Sequence, residues 1–156
     1  MSMSTREKLG GFVSVVCFKG VITGMEEALG EKATAIALIS AGRTRGKNLV
    51  TELGLAGSNP SLEDLASKLD YALGENGTRL CKVDKIENQG DSIKVYTTET
   101  VCSAGEAQGS DRKCTYTMGA VCGAIETIQN KRYRPTQIES VLRGGSHDVF
   151  EMTLMS

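Results

Sequence analysis

The sequence contains no tryptophan, and only three phenylalanines and four tyrosines among its 156 residues. This argues against a flat aromatic clamp and leaves Leu, Ile, Val, Ala and Met to fill the core. No sign of charge is in excess either, with eighteen basic residues facing nineteen acidic ones. The formal net charge of -1 creates no overall field to draw in a phosphate backbone or an anionic membrane, so nucleic acid is not expected as a partner. Long apolar runs are missing. The short one at residues 12–18, FVSVVCF, is followed at once by Lys19, too short to span a bilayer and unconvincing as a signal peptide. The expectation is a cytoplasmic protein without an integral membrane segment. Also absent are an H-E-x-x-H word, a nucleophile elbow, a phosphate-binding glycine loop and a dinucleotide fingerprint. Hydrolase, metalloprotease and nucleotide-dependent readings therefore have no positive handle.

Cys17, Cys81, Cys102, Cys114 and Cys122 are an odd number without a secretion signal, which argues against a disulfide framework. No C-x-x-C pair occurs, and the plain expectation is that most are buried thiols packing as small hydrophobes. The single histidine, His147, falls in RGGSHD at 143–148. With Asp148, or with a cysteine brought near by folding, it has the makings of acid–base or metal chemistry; an exposed turn histidine is the simpler reading.

A chain of this length suits one domain, burying roughly 70% of its extended surface; residues 1–11 are expected to be flexible. Residues 12–18 read as a strand or extended lead-in, although so few residues equally begin a buried helix. A helix is predicted from Met25 to about Ala41 with Gly30 as an internal weakness, continuing or restarting to Leu53. Gly42 and Gly46 lie four apart and would permit close approach to another helix or a second subunit. Ser61, then Glu63 and Asp64, marks a helix start, and Leu62, Leu65, Ala66, Leu69 and Leu73 form its apolar stripe. Two β-prone segments flank the turn at 88–91, suggesting a hairpin. A loop at 101–113 leads to CTYTMGAVCGAIETI at 114–128, where Met118, Val121, Cys122 and Ile125 recur at helical steps. KRYRP reads as a basic turn, and residues 138–142 and 149–154 as a second strand pair. The sum is an α+β domain, a mostly antiparallel sheet with two β-hairpins packed against several helices.

In this order SLEDLASKL at 61–69, SIKVYTTETVC ending at Cys102, CTYTMGAVCGAI at 114–125 and the terminal IESVLRGGSHDVFEM resemble the 4-vinyl-reductase-type, or hydrocarbon-binding, domain, within the ligand-binding fold shared with TRAPP tethering-complex subunits. The family's C-x-Y/F-x-x-G-x-x-x-G pattern falls on Cys114, Tyr116, Gly119 and Gly123. Its final acidic residue falls on Glu139, but Leu142 and Val149 stand where two cysteines are usual, removing two thiols from any metal cluster.

The resemblance implies non-catalytic binding or sensing of an apolar small molecule, a tetrapyrrole or a lipid, coupled to protein interaction in a homodimer. Some relatives are linked to tetrapyrrole or bacteriochlorophyll metabolism, others to transcriptional control. Met118, Val121, Cys122 and Ile125 are the candidate cavity lining, with room left by Gly119 and Gly123; an ordinary packed core uses the same residues. Cys102 and Cys114 are candidates for attaching a ligand or binding metal. Among the basic residues at the two ends of the helix, Arg112, Lys113, Arg132 and Arg134, Arg134 is the preferred partner for a propionate. The alternatives are a ligand-free structural or regulatory homodimer with the same fold, and an enzyme or accessory subunit of tetrapyrrole side-chain modification, which would need a separate electron donor.

Overall fold

The computed structural model describes residues 5–156. The first four residues of the expected flexible lead at 1–11 lie outside the described residues, and most of the remainder forms turns. The chain forms two compact units, one ending at Thr34 and the other spanning Ala35–Ser156.

In the first unit, residues 12–18 do not form the expected strand. Ser14 caps a helix, α1 (Val15–Leu29), its hydroxyl accepting from the Val16 amide at 3.2 Å. A capped amide run needs no neighbouring strand, and this local satisfaction decides for helix. Gly30 then adopts φ +85° and its amide donates to the Glu26 carbonyl, so the predicted weakness is a complete break. The next helix, α2 (Glu31–Glu52), begins in this unit and continues through the second without interruption at Gly42 or Gly46.

In the second unit, α3 (Leu62–Leu73) starts where predicted. The Ser61 hydroxyl accepts from the Asp64 amide, Glu63 and Asp64 occupy the first turn, and Leu65, Ala66, Leu69 and Leu73 turn inward. Strands β1 (Lys82–Asn88) and β2 (Ser92–Thr98) form the predicted hairpin. After the 99–114 connection comes α4 (Thr115–Gln129), then β3 (Tyr133–Glu139) and β4 (Asp148–Leu154). The sheet is antiparallel throughout, in the order β1-β2-β4-β3.

The last strand pair differs from expectation at its first member. β3 begins inside the supposed basic turn, because the residue before a proline is held extended and Pro135 is tolerated on an edge strand. Residues 141 and 142, expected to finish the strand, instead belong to a short 3-10 turn (Val141–Arg143), with the Ser140 hydroxyl accepting from the Leu142 amide at 3.1 Å.

Along β2 buried residues alternate with partly exposed ones. Val83, Ile86, Ile93, Val95, Phe150 and Met152 join one apolar core with α3 and α4, while Lys94 pairs in register with Glu151 on the opposite face. α3 packs on β1, and α4 on β3.

Candidate functional site

Helix α4 is the centre of the second unit, and eleven of its fifteen residues are buried. Its start is unusual. Cys114 occupies the N-cap position without offering a side-chain cap; its own amide donates to Gln137 Oε1 at 2.8 Å, and its sulfur is bonded to Cys102. The disulfide corrects the expectation from the odd cysteine count. The loop after Cys102 folds back until the two Cα atoms are 5.1 Å apart, inside the range a disulfide spans. Joined to each other, the two sulfurs offer no thiolate to a ligand or metal. Cys17, Cys81 and Cys122 remain free.

Asp148 holds this corner together. It is fully buried, and its carboxylate accepts from Thr100 Oγ1 at 2.6 Å, Ser103 Oγ at 2.8 Å and the Val141 amide at 3.0 Å. Three donors compensate for removing a carboxylate from water. Asp148 therefore faces away from His147, whose Nε2 lies 3.1 Å from Asp84 Oδ2 and whose Nδ1 lies 2.9 Å from Ser146 Oγ, its ring in T-shaped contact with the Tyr96 ring. Leu142 and Val149 are buried apolar residues, and among the described residues no group of three or more His, Cys, Asp or Glu side chains is placed to hold a metal ion.

The expected cavity lining lies deep in the core. Val121, Cys122 and Ile125 have no exposed surface and Met118 retains 6%. The space left by the glycines of α4 is taken by a helix. A Cβ on Gly119 would overlap the Ile39 carbonyl and one on Gly123 the Arg43 carbonyl; reciprocally, Gly42 and Gly46 on α2 abut the carbonyls of Tyr116 and Ala120. Four missing side chains thus let two backbones touch.

Where α2 crosses the far end of α4, Arg43 enters the seam. Its Nε lies 3.0 Å from Glu126 Oε1, and its Nη2 donates to the Tyr133 carbonyl at 3.3 Å and reaches Cys122 Sγ at 3.5 Å. Glu126 Oε2 accepts from the Tyr133 amide at 2.8 Å. Burial pushes the Cys122 thiol up to about 11, the Arg43 hydrogen bond opposing it, and burial pushes Cys81 to about 12. Periodicity singled out neither Arg43 nor Glu126, because a charge is invisible as a core residue until its partner is known.

The basic residues separate. Arg112, near the start of α4, pairs with Glu106 at 3.1 Å, Arg132 lies by Glu126 beyond the end of α4, and Arg134 is exposed on edge strand β3. A cleft of about 560 Å³ lies beside Arg43, Lys47, Glu126, Lys131 and Arg132. Another, of about 520 Å³, is lined by Asp70, Glu75, Arg79, Cys81, Lys82 and Glu99 among others. Met118, Val121, Ile125 and Arg134 line neither. No helix of the described residues is long and apolar enough to cross a membrane.

No protein-family model matches the sequence, and no curated protein does. Among solved structures, the chain is similar to the phenol-responsive sensory domain of the transcription activator PoxR with phenol, at 12% identity and a TM-score of 0.70, over 91% of this chain and 75% of that one. It is also similar to a trafficking protein particle complex subunit 3 from Naegleria fowleri covalently bound to palmitic acid, at 13% identity and a TM-score of 0.61, over 91% and 93% of the two chains. The α+β fold, an antiparallel sheet packed against helices, is the one these two proteins share, and a specific tie to 4-vinyl reductases has no support among the matches.

Proposed function

We propose that this chain binds an apolar small molecule without transforming it and relays its presence through protein contact. The observation that carries the proposal is the shared fold, spanning nine-tenths of the chain, with a phenol-responsive sensory domain and with a subunit carrying palmitic acid. The core between α3, α4 and the inner sheet face supports it, being aliphatic almost throughout. Side chains around Met118 must move apart to admit a ligand. An apolar cavity on the order of 150 Å³ suffices for a benzene-sized molecule, so a phenol or an acyl chain demands far less rearrangement than a tetrapyrrole macrocycle. The tetrapyrrole reading is accordingly the less favoured. Native mass spectrometry and calorimetry with phenols, fatty acids and a porphyrin provide the test. Binding of a phenol or fatty acid, weakened by Val121→Trp, is expected; absence of binding across all three classes overturns the reading.

The exposed apolar residues of the first unit favour a second reading, the ligand-free interaction module. Val16 is 75% exposed, Phe12 54% and Val21 59%, an arrangement that costs solvation unless another surface covers it. In this reading a second copy of the chain supplies that surface. Sedimentation of the full chain, compared with Val16→Lys and Val21→Lys, tests it; a monomer at all concentrations sinks it.

A further inference from the structure

We propose that the cleft beside the C-terminal end of α4 binds a phosphorylated polyol. Among the described residues its walls carry Arg43, Lys47, Lys131 and Arg132 against one carboxylate, Glu126. The chain as a whole is nearly neutral, so this local excess of positive charge is a property of the folded cleft rather than of composition.

Glu126 neutralises Arg43 and leaves Lys47, Lys131 and Arg132 as the cleft's excess charge, because it is committed inward. One oxygen sits 3.0 Å from Arg43 Nε and the other accepts from the Tyr133 amide at 2.8 Å. Arg132 approaches the same carboxylate only at 3.6 Å and its side chain is 77% exposed, while Lys47 and Lys131 are exposed beside it. Two guanidinium groups already flank one oxyanion here, and the remaining donors suit a second, more highly charged one.

The rest of the lining indicates what the phosphate is attached to. Among the described residues no aromatic side chain lines the cleft, so a nucleobase has nothing there to stack on. Thr127, whose hydroxyl donates to the Gly123 carbonyl at 2.8 Å and keeps its lone pairs, and the amide of Asn130 suit hydroxyl groups instead. Gly57 and Gly123 contribute no side chains, and the volume of about 560 Å³ holds a ring larger than inorganic phosphate. The ligand is a free sugar or inositol phosphate, or the same chemistry displayed as a lipid headgroup. The proposal stands independently of apolar ligand binding.

Calorimetry on the full chain with inositol hexakisphosphate and with inorganic phosphate, at low and physiological ionic strength, tests the site. Pelleting with phosphatidylcholine vesicles containing a phosphoinositide forms the second arm. The double variant Lys47→Glu/Lys131→Glu alters exposed side chains and is expected to remain folded by circular dichroism while losing about tenfold or more in affinity. Lys85→Glu, on the sheet, is expected to retain binding. Soluble binding that the double variant loses supports a free metabolite; vesicle binding alone, lost likewise, supports a headgroup. No binding in either arm at low salt, or equal binding by the double variant, overturns the proposal.

Discussion

Helices α1 and α4 are alike on paper. Each has fifteen residues, a cysteine, a mostly apolar composition and two glycines four apart, Gly20 and Gly24 in one and Gly119 and Gly123 in the other. Their surroundings are opposite. A Cβ added at Gly20 or Gly24 meets nothing within 4 Å, whereas one at Gly119 or Gly123 runs into the backbone of α2. The same pattern is thus a close-packed seam in one place and open surface in the other. Glycine spacing states that an approach is permitted; a facing helix decides whether it occurs.

The strongest way to sharpen this contrast is to fill the seam. Gly46→Ala drives a methyl into the Ala120 carbonyl, and the protein is expected to lose about 3 kcal/mol or more, read as a fall in the urea midpoint. An unchanged midpoint would mean that α2 and α4 sit farther apart in solution. Next in size is the disulfide that ties the loop to α4. Cys102→Ser releases the Cys102–Cys114 closure and is expected to cost about 2–4 kcal/mol in chemical denaturation.

Alkali probes the buried thiols of the same unit. Cys81 and Cys122 titrate at about 12 and about 11 in the folded protein, against an ordinary 9.0, because burial disfavours the thiolate. Their contribution is complete below pH 9 and is lost as pH rises toward 11 and 12, since the unfolded chain releases these protons more readily. Urea midpoints are expected to fall above pH 9, and less steeply in Cys122→Ser. The smallest effect belongs to α1. Gly24→Ala has open space around it and is expected to stabilise the helix by about 1 kcal/mol. If it instead destabilises or shifts the sedimentation coefficient, α1 is a packed seam after all, against a second copy.

Parts of this architecture were legible in the primary structure. Ser61 with its acidic first turn announced α3, the turn at 88–91 announced the β1–β2 hairpin, and the spacing of Met118, Val121, Cys122 and Ile125 announced α4. Each signal lies within a few residues and is satisfied by the chain's own neighbours. The start of α1 is not legible in the same way, because its short apolar run suits two periods and only the Ser14 cap distinguishes them. The start of β3 is hidden because basic residues and a proline read as a turn when the edge position that accommodates them is unknown.

What residue order settled here is local: which segments coil or extend, where they stop, and which face of each is apolar. The Cys102–Cys114 bond, the burial of Asp148, the insertion of Arg43 between Cys122, Glu126 and Tyr133, and the occupation of the α4 glycine groove by α2 were settled by folding. All four join positions brought together from separate elements or across a loop. Their energies depend on distances that do not exist until the backbone has been arranged around them.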